Sequence, residues 1–470
     1  MSAIPVLPKT PRDRLSTLGL VAATFFIVSG GPYGLEEVVL GYGYKGALLL
    51  LLVVPLVWSL PVALLVGELS AALPATGGYY VWVRRALGPF WGLQEAWLSL
   101  AVGIVDIAIY PTLLAAYLGR LWPAVGGVAP LEGGWWMGLL AIAGCTAWNA
   151  FGIRSIGRGS ALLGAALLAP FAAIVLLALL ALRSGGLSVL RSALSAPPPG
   201  DRGALVAGLM LTMWNLLGFD NASTFAAEVR DPGRSYPRAM VVATAAVAGC
   251  YLAAVLAAAV AGVVPASFTT GAWSAVGERL GGPGLAALVT AGGAISALGM
   301  YCALLLSWSR LPVALAEDGL WPGRFARRHP RTHAPVPAVV LGGVLSALCL
   351  GLGLRRLVVI DVLLYGAALL LELAALLALR VREPDLERPY RIGGGLKGVG
   401  ALMLMPAVLV ALAAYAARSE PGALGLSGIE LSAVVALVGV AWGLARRLFP
   451  RSAPAREAAR LTREGERPLR

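Results

Sequence analysis

Charge is scarce in this sequence: 13% of its 470 residues are Asp, Glu, Lys or Arg. A soluble chain of this length would need about twice that share to cover its surface, so a soluble enzyme is nearly excluded. Histidine is scarcer still, with His329 and His333 in one Arg-rich loop, which makes a histidine-based metal site improbable. The four cysteines, Cys145, Cys250, Cys302 and Cys349, each lie inside a long apolar run and read as small buried hydrophobes, not as disulfides or ligands. Also missing are a nucleophile elbow and a phosphate-binding loop, so no enzyme is expected, and no cofactor or metal. The chain start shows no small-x-small cleavage site after its first apolar stretch, so that stretch is read as a membrane span and not as a signal peptide.

What is abundant is apolar sequence, 59% of residues. Runs free of Asp, Glu, Lys and Arg cover 15–35, 46–67, 133–153, 159–182, 203–219, 239–277, 280–309, 332–354, 398–417 and 431–445. Crossing a bilayer core takes roughly 20 helical residues, so most of these suffice for one crossing. Two further spans tolerate acids, 90–119 with Asp106 and 356–380 with Asp361 and Glu372. The result is an all-α membrane protein of about 12 spans, since period-2 alternation in short segments, the mark of a β-barrel, is lacking. The net charge of +13 would suggest nucleic acid in a soluble protein. Here it encodes orientation: with a cytoplasmic N-terminus, 28 of the 37 Lys and Arg fall on the cytoplasmic side, and both termini lie there. The expected location is the cell membrane, with lipid and a small-molecule substrate as partners and no nucleic acid; the oligomeric state stays open.

Two spans look broken. Span one contains Ser29-Gly30-Gly31-Pro32-Tyr33-Gly34, where glycines and a proline remove helix propensity and a backbone donor in mid-membrane. Span six contains Asn215-Leu216-Leu217-Gly218-Phe219-Asp220-Asn221. The breaks are five spans apart. An odd number of spans per repeat inverts the second repeat, and paired broken helices in such repeats point to a transporter's central site. The organisation expected is a segment 1–14, a five-helix repeat 15–182, an inverted five-helix repeat 203–380, two additional helices in 397–449 and a basic tail 450–470.

Three motifs carry a resemblance. Glu68-Leu69-Ser70-Ala71-Ala72-Leu73-Pro74-Ala75-Thr76-Gly77-Gly78-Tyr79-Tyr80 follows the second span; Ala227-Glu228-Val229-Arg230-Asp231-Pro232 with Tyr236-Pro237-Arg238-Ala239 follows the sixth; Ser309-Arg310-Leu311-Pro312 through Glu317-Asp318-Gly319-Leu320-Trp321-Pro322 follows the eighth. In this order they resemble the amino acid-polyamine-organocation transporters. Ser29 through Glu37, ending in two acids, together with Ala86-Leu87-Gly88-Pro89-Phe90-Trp91-Gly92, Asp106, Tyr110-Pro111, Trp214-Asn215, Asp220 and Glu372, is similar to the polyamine-uptake branch. The sequence departs from that branch at Leu217 and Phe219, where those relatives carry Tyr and Trp. The resemblance implies a 5+5 inverted fold with discontinuous helices 1 and 6, an aromatic gate at Trp214 and a proton-responsive acid at Asp220.

The residues alone favour a cationic ligand. Six acids, Glu36, Glu37, Asp106, Asp220, Asp361 and Glu372, fall in apolar spans, where each costs about 2.5–3.5 kcal/mol at a helix centre. No Lys or Arg is expected at similar depth, so protons, metal ions or an amine must compensate. Carbonyls around Ile27 to Gly30 would accept from an ammonium, and amides around Tyr33 to Leu35 would favour an anion, which Glu36 and Glu37 are placed to supply themselves. A substrate with no carboxylate, a di- or polyamine, follows. The candidate binding residues are Ser29, Gly30, Gly31, Tyr33, Gly34, Glu36, Asp106, Tyr110, Trp214, Asn215 and Asp220, with Glu36, Asp106 and Asp220 as candidates for coupling. The expected function is a proton-linked secondary transporter of polyamines. An amino acid permease of the same fold is the near alternative, and a transporter-like sensor or a channel the distant one.

Overall fold

The computed structural model describes residues 15–448 apart from 75–77, 126, 128, 152–155, 199, 201, 331, 333 and 419–425. The segment 1–14, the tail 450–470, His333 and Arg154 therefore lie outside the described residues. Among those described, nine helices are long and apolar enough to cross a membrane, and shorter apolar helices complete the set. There is no sheet among them, only one isolated parallel bridge between Leu15 and Val229.

The chain enters through α1 (Thr17–Val28), whose Ser16 cap accepts from the Gly19 amide at 3.2 Å. The face at which α1 starts is termed basal here and the opposite face distal. The helix stops at Ser29, because Gly31 and Gly34 take φ of +87° and +92°, which a helix cannot accommodate. It resumes as α2 (Glu36–Val54), which bends at Gly43 (φ 63°, ψ 178°), so α2 holds the end of span one and the start of span two. A π turn at Pro55–Ser59 and α3 (Leu60–Ala72) finish span two. Then come the short basal α4 (Gly78–Leu87), α5 (Pro89–Leu121), α6 (Gly133–Ala150) and α7 (Ile156–Ala181), which continues into α8 (Leu187–Ser195).

Span six is α9 (Arg202–Trp214), a break, and a 3-10 segment Phe219–Glu228 entered through left-handed Gly218 (φ 93°). Span seven is α10 (Pro232–Ala261). The uncharged run 239–277 is not one span. It ends at left-handed Gly262, and residues up to Gly281 form a distal cap before Gly282 (φ 75°) bends α11 (Trp273–Trp308) into span eight. The chain closes with α12 (Arg310–Glu317), α13 (Val336–Cys349), α14 (Leu354–Arg382), α15 (Gly395–Ala417) and α16 (Gly428–Leu448).

These crossings form two groups. Spans one, two, six and seven pack on one another through α1, α2, α3, α9 and α10, while spans three, four, eight and nine pack through α5, α6, α11 and α13. α7 touches both groups, as does α14; α15 and α16 sit outside against α14. Outward leucines such as Leu52, Leu404 and Leu437 are more than half exposed, an apolar surface suited to lipid.

Candidate substrate site between the broken helices

The two breaks face each other and are held by side chains from elsewhere. In the first, the Ser29 hydroxyl accepts from the Gly31 amide (3.1 Å), the Gly30 carbonyl accepts from Ser296 (2.7 Å), and the Pro32 carbonyl accepts from the Trp273 indole (3.0 Å). Tyr33 donates to the Val289 carbonyl at 3.0 Å. In the second, Asn215 donates to the Gly34 carbonyl (3.4 Å) and to Leu211 (2.8 Å), bridging the breaks directly. The Leu216 carbonyl accepts from Ser59 at 2.7 Å, and the Gly218 amide donates to the Tyr365 hydroxyl at 3.2 Å. Backbone groups freed by the breaks are thus paired again inside protein, which is the condition for irregular backbone at membrane depth.

Between the breaks lies a cavity whose polar wall is Tyr33, Asp106, Tyr110, Tyr117, Trp214, Asn215, Asn221 and Ser296; among the described residues no Lys, Arg or His lines it. Its cavity volume is ≈ 30 Å³, so the site is narrow. Asp106 is partly open to it and accepts from the Trp214 indole at 3.0 Å. The Tyr110 and Trp214 rings stand 6.0 Å apart at 50°. Apolar wall comes from Ile27, Val28, Leu113 and Leu217.

Of the residues singled out in the sequence, Gly30, Tyr33, Asp106, Tyr110, Trp214 and Asn215 line the cavity, and Ser29, Gly31, Gly34, Glu36 and Asp220 stand behind its wall. Glu36 is fully buried: it accepts from the Gly34 amide (2.7 Å), the Gly271 amide (3.0 Å) and the Tyr117 hydroxyl. It therefore occupies the anion position at the start of its own half-helix. With Arg120 bonded to Thr269 (2.5 Å) and Trp273 on Pro32, it seals the distal side.

Asp220 accepts from Tyr365 at 2.5 Å, away from the cavity. Asp361 and Glu372 are buried, 0% and 2% exposed. Glu37 does have a basic neighbour, Arg355, which corrects the expectation that no cation stands at that depth. Tyr117, Asn221 and Ser296 join the wall without having been among the candidates. Tyr117 was readable, being seven residues after Tyr110 on one helix face. Glu95 of span three, within 90–119, is a further buried acid outside the sequence candidates.

Paired broken helices around an acid-bearing cavity in a 5+5 inverted helical fold define a membrane transporter. The amino acid permease family model matches residues 18–444. Polyamine transporter PUT1 of Oryza sativa subsp. japonica is 35% identical over 93% of this chain and 78% of its own length. A probable polyamine transporter of Arabidopsis thaliana is 35% identical over 86% of this chain and 82% of its own. The chain belongs to the amino acid permease family, within the amino acid-polyamine-organocation superfamily. Among solved structures, MhsT in complex with L-phenylalanine shares the fold, with a TM-score of 0.60 at 17% identity, covering 84% of this chain and 97% of that one.

Proposed function

We propose that this protein is a secondary active transporter of polyamines or related organic cations across the cytoplasmic membrane, proton-linked and working by alternating access. The observation that carries the reading is Asp106, a carboxylate open to a cavity that no basic side chain lines among the described residues, with Trp214 and Tyr110 in the same wall. An ammonium placed there gains a countercharge in a low-dielectric site, and a tryptophan face adds roughly 0.5–2 kcal/mol. The methylene chain would lie along Ile27, Val28, Leu113 and Leu217. A substrate carboxylate finds its usual helix end taken, because Glu36 accepts from the Gly34 amide at 2.7 Å. That argues for an amine and against an amino acid.

The cavity must open to admit even a diamine, so binding and helix-group motion go together. The basic loops orient the basal face, with both chain ends, to the cytoplasm; the sealed distal side is then the exterior. The test is uptake by the purified protein in liposomes under an imposed pH gradient. Labelled putrescine and spermidine are expected to accumulate and to compete with each other. Transport of a carboxylated amino acid, with no competition from the amines, would replace this reading by an amino acid permease.

A further inference from the structure

On the basal face a groove of ≈ 530 Å³ runs between the first turns of α10, with Arg234, Arg238, Val241 and Val242, and the strap that follows α14, with Pro389 and Tyr390. The strap is seated closely on its neighbours. A Cβ on Gly233 would lie 2.8 Å from Pro389, and one on Gly67 of α3 would lie 3.2 Å from Pro237 and 3.6 Å from the Tyr390 ring. Two residues further on, the Ile392 amide donates to Glu68 at 2.8 Å.

Arg234 and Arg238 stand four residues apart, on one face of α10, and Val241 and Val242 continue that face about two turns into the helix. Both valines look outward, 42% and 52% exposed. The charge in the groove is of one sign, because among the described residues no Asp or Glu lines it. Arg234 has only a loose contact with Asp231, at 4.0 Å with side chains 81% and 58% exposed, a pair worth little. The Arg238 guanidinium is exposed and has no ion pair or hydrogen bond among the described residues. The neighbouring Arg380 and Arg388 differ, being committed to Glu68 and to backbone carbonyls.

Guanidinium forks match the oxygens of a phosphate, and two of them side by side match a phosphodiester. α10 starts at the basal face and runs into the bilayer, with Val242 about 12 Å along it from Arg234. The charged end of the groove therefore lies at headgroup level and the apolar end at the acyl chains. Free phosphate would use the charged end alone. A zwitterionic lipid would bring a quaternary ammonium for which the wall offers no anion.

We infer that this groove binds one anionic phospholipid, its phosphate between Arg234 and Arg238 and an acyl chain along Val241 and Val242. The bound lipid bridges span seven to the strap, adding a tie beside the one that Ile392 makes to Glu68. It requires only that the chain sits in a membrane and does not rest on the transport reading.

The experiment uses the full-length protein in uncharged detergent, with its melting temperature followed as lipid is added. Phosphatidylglycerol should raise the melting temperature saturably, whereas phosphatidylcholine and inorganic phosphate at the same concentrations should not. Each arginine near anionic lipid contributes a factor of about five, so Arg234→Gln with Arg238→Gln should raise the half-effective phosphatidylglycerol concentration by about 25-fold. Its melting temperature without lipid should match wild type, which separates lost binding from misfolding. Val241→Ser with Val242→Ser should also weaken the lipid effect, although it leaves both charges in place. Arg324→Gln with Arg327→Gln, in the basal loop before α13, should leave the titration unchanged. An equal loss in that pair would reduce the effect to general charge attraction and overturn the site. A shift of the same size with inorganic phosphate would make it a phosphate site and overturn the lipid. An equal shift with phosphatidylcholine, or none with any of the three, would overturn it too, the last leaving the groove to an acidic protein segment.

Discussion

Asp106 is the residue on which ligand choice turns. Its carboxylate keeps one side toward the cavity, and its indole partner orients it without neutralising it. Asp106→Asn preserves shape and an acceptor but removes the charge. Because truncating one partner of a buried charge pair costs about 2–5 kcal/mol, putrescine affinity should fall by roughly thirtyfold or more. Calorimetric titration checks this, and an unchanged affinity would place the ammonium elsewhere in the cavity. Trp214 donates its N–H to Asp106 and lines the cavity, where its ring can meet an ammonium. Trp214→Phe should lose the charged hydrogen bond, about 1.5–3 kcal/mol of positioning, and Trp214→Ala should be worse in the same uptake assay. Equal effects of the two would mean that the ring face adds nothing.

At the scale of elements, the breaks themselves were legible. Glycines at 31, 34 and 218 and Pro32 cannot sustain a membrane helix, and each glycine takes positive φ where a side chain would be strained. The partners that close the breaks were not legible, because they arrive from far along the chain. Glu36 looked like a substrate ligand, yet it is held by Tyr117 and by Gly271, 235 residues away. No local pattern encodes such a pairing. The carboxylate strip of α5 lies between these cases: Glu95, Asp106 and Tyr110 share one helical face, a periodicity present in the sequence. Removing Glu36 tests its reassignment to the distal seal. Glu36→Ala strands three buried donors at about 1–3 kcal/mol each, so a loss of several kcal/mol should appear as a lowered melting temperature in detergent. A wild-type melt with lost amine binding would return Glu36 to the substrate. Gly34→Ala should also damage the site: φ of +92° costs about 1–3 kcal/mol in a side-chain-bearing residue, and its Cβ would lie 2.9 Å from the Trp214 ring.

For the molecule as a whole, two helix groups can move only as far as the ties between them allow. The bridging α14 carries the strongest tie at the basal end. Arg380 donates to both oxygens of Glu68 in α3, at 2.9 and 2.5 Å, while the Ile392 amide donates to one of them at 2.8 Å and the Arg388 guanidinium stands 3.5 Å from the other. Glu68 and Arg380 have fully buried side chains. By contrast, Arg85 and Glu383 pair at 2.6 Å on the surface. Arg85's hydrogen bonds hold the Glu383 carboxyl below its usual range, so that pair's contribution, present at neutral pH, fades as pH falls through the lowered value; exposed pairs are worth about 0–1 kcal/mol. The buried tie should behave differently. Glu68→Leu leaves Arg380 buried without its anion and should lower stability by about 3–5 kcal/mol, whereas replacing a buried pair by apolar residues of similar volume is often neutral. Adding Arg380→Met to Glu68→Leu should therefore recover most of the lost melting temperature. It should also free α3 from α14, so the double variant is expected to differ from wild type in transport rate while matching it in stability. If the double variant melts as low as Glu68→Leu alone, the contacts of Glu68 with Ile392 and Arg388, and not its pairing with Arg380, supply the stability.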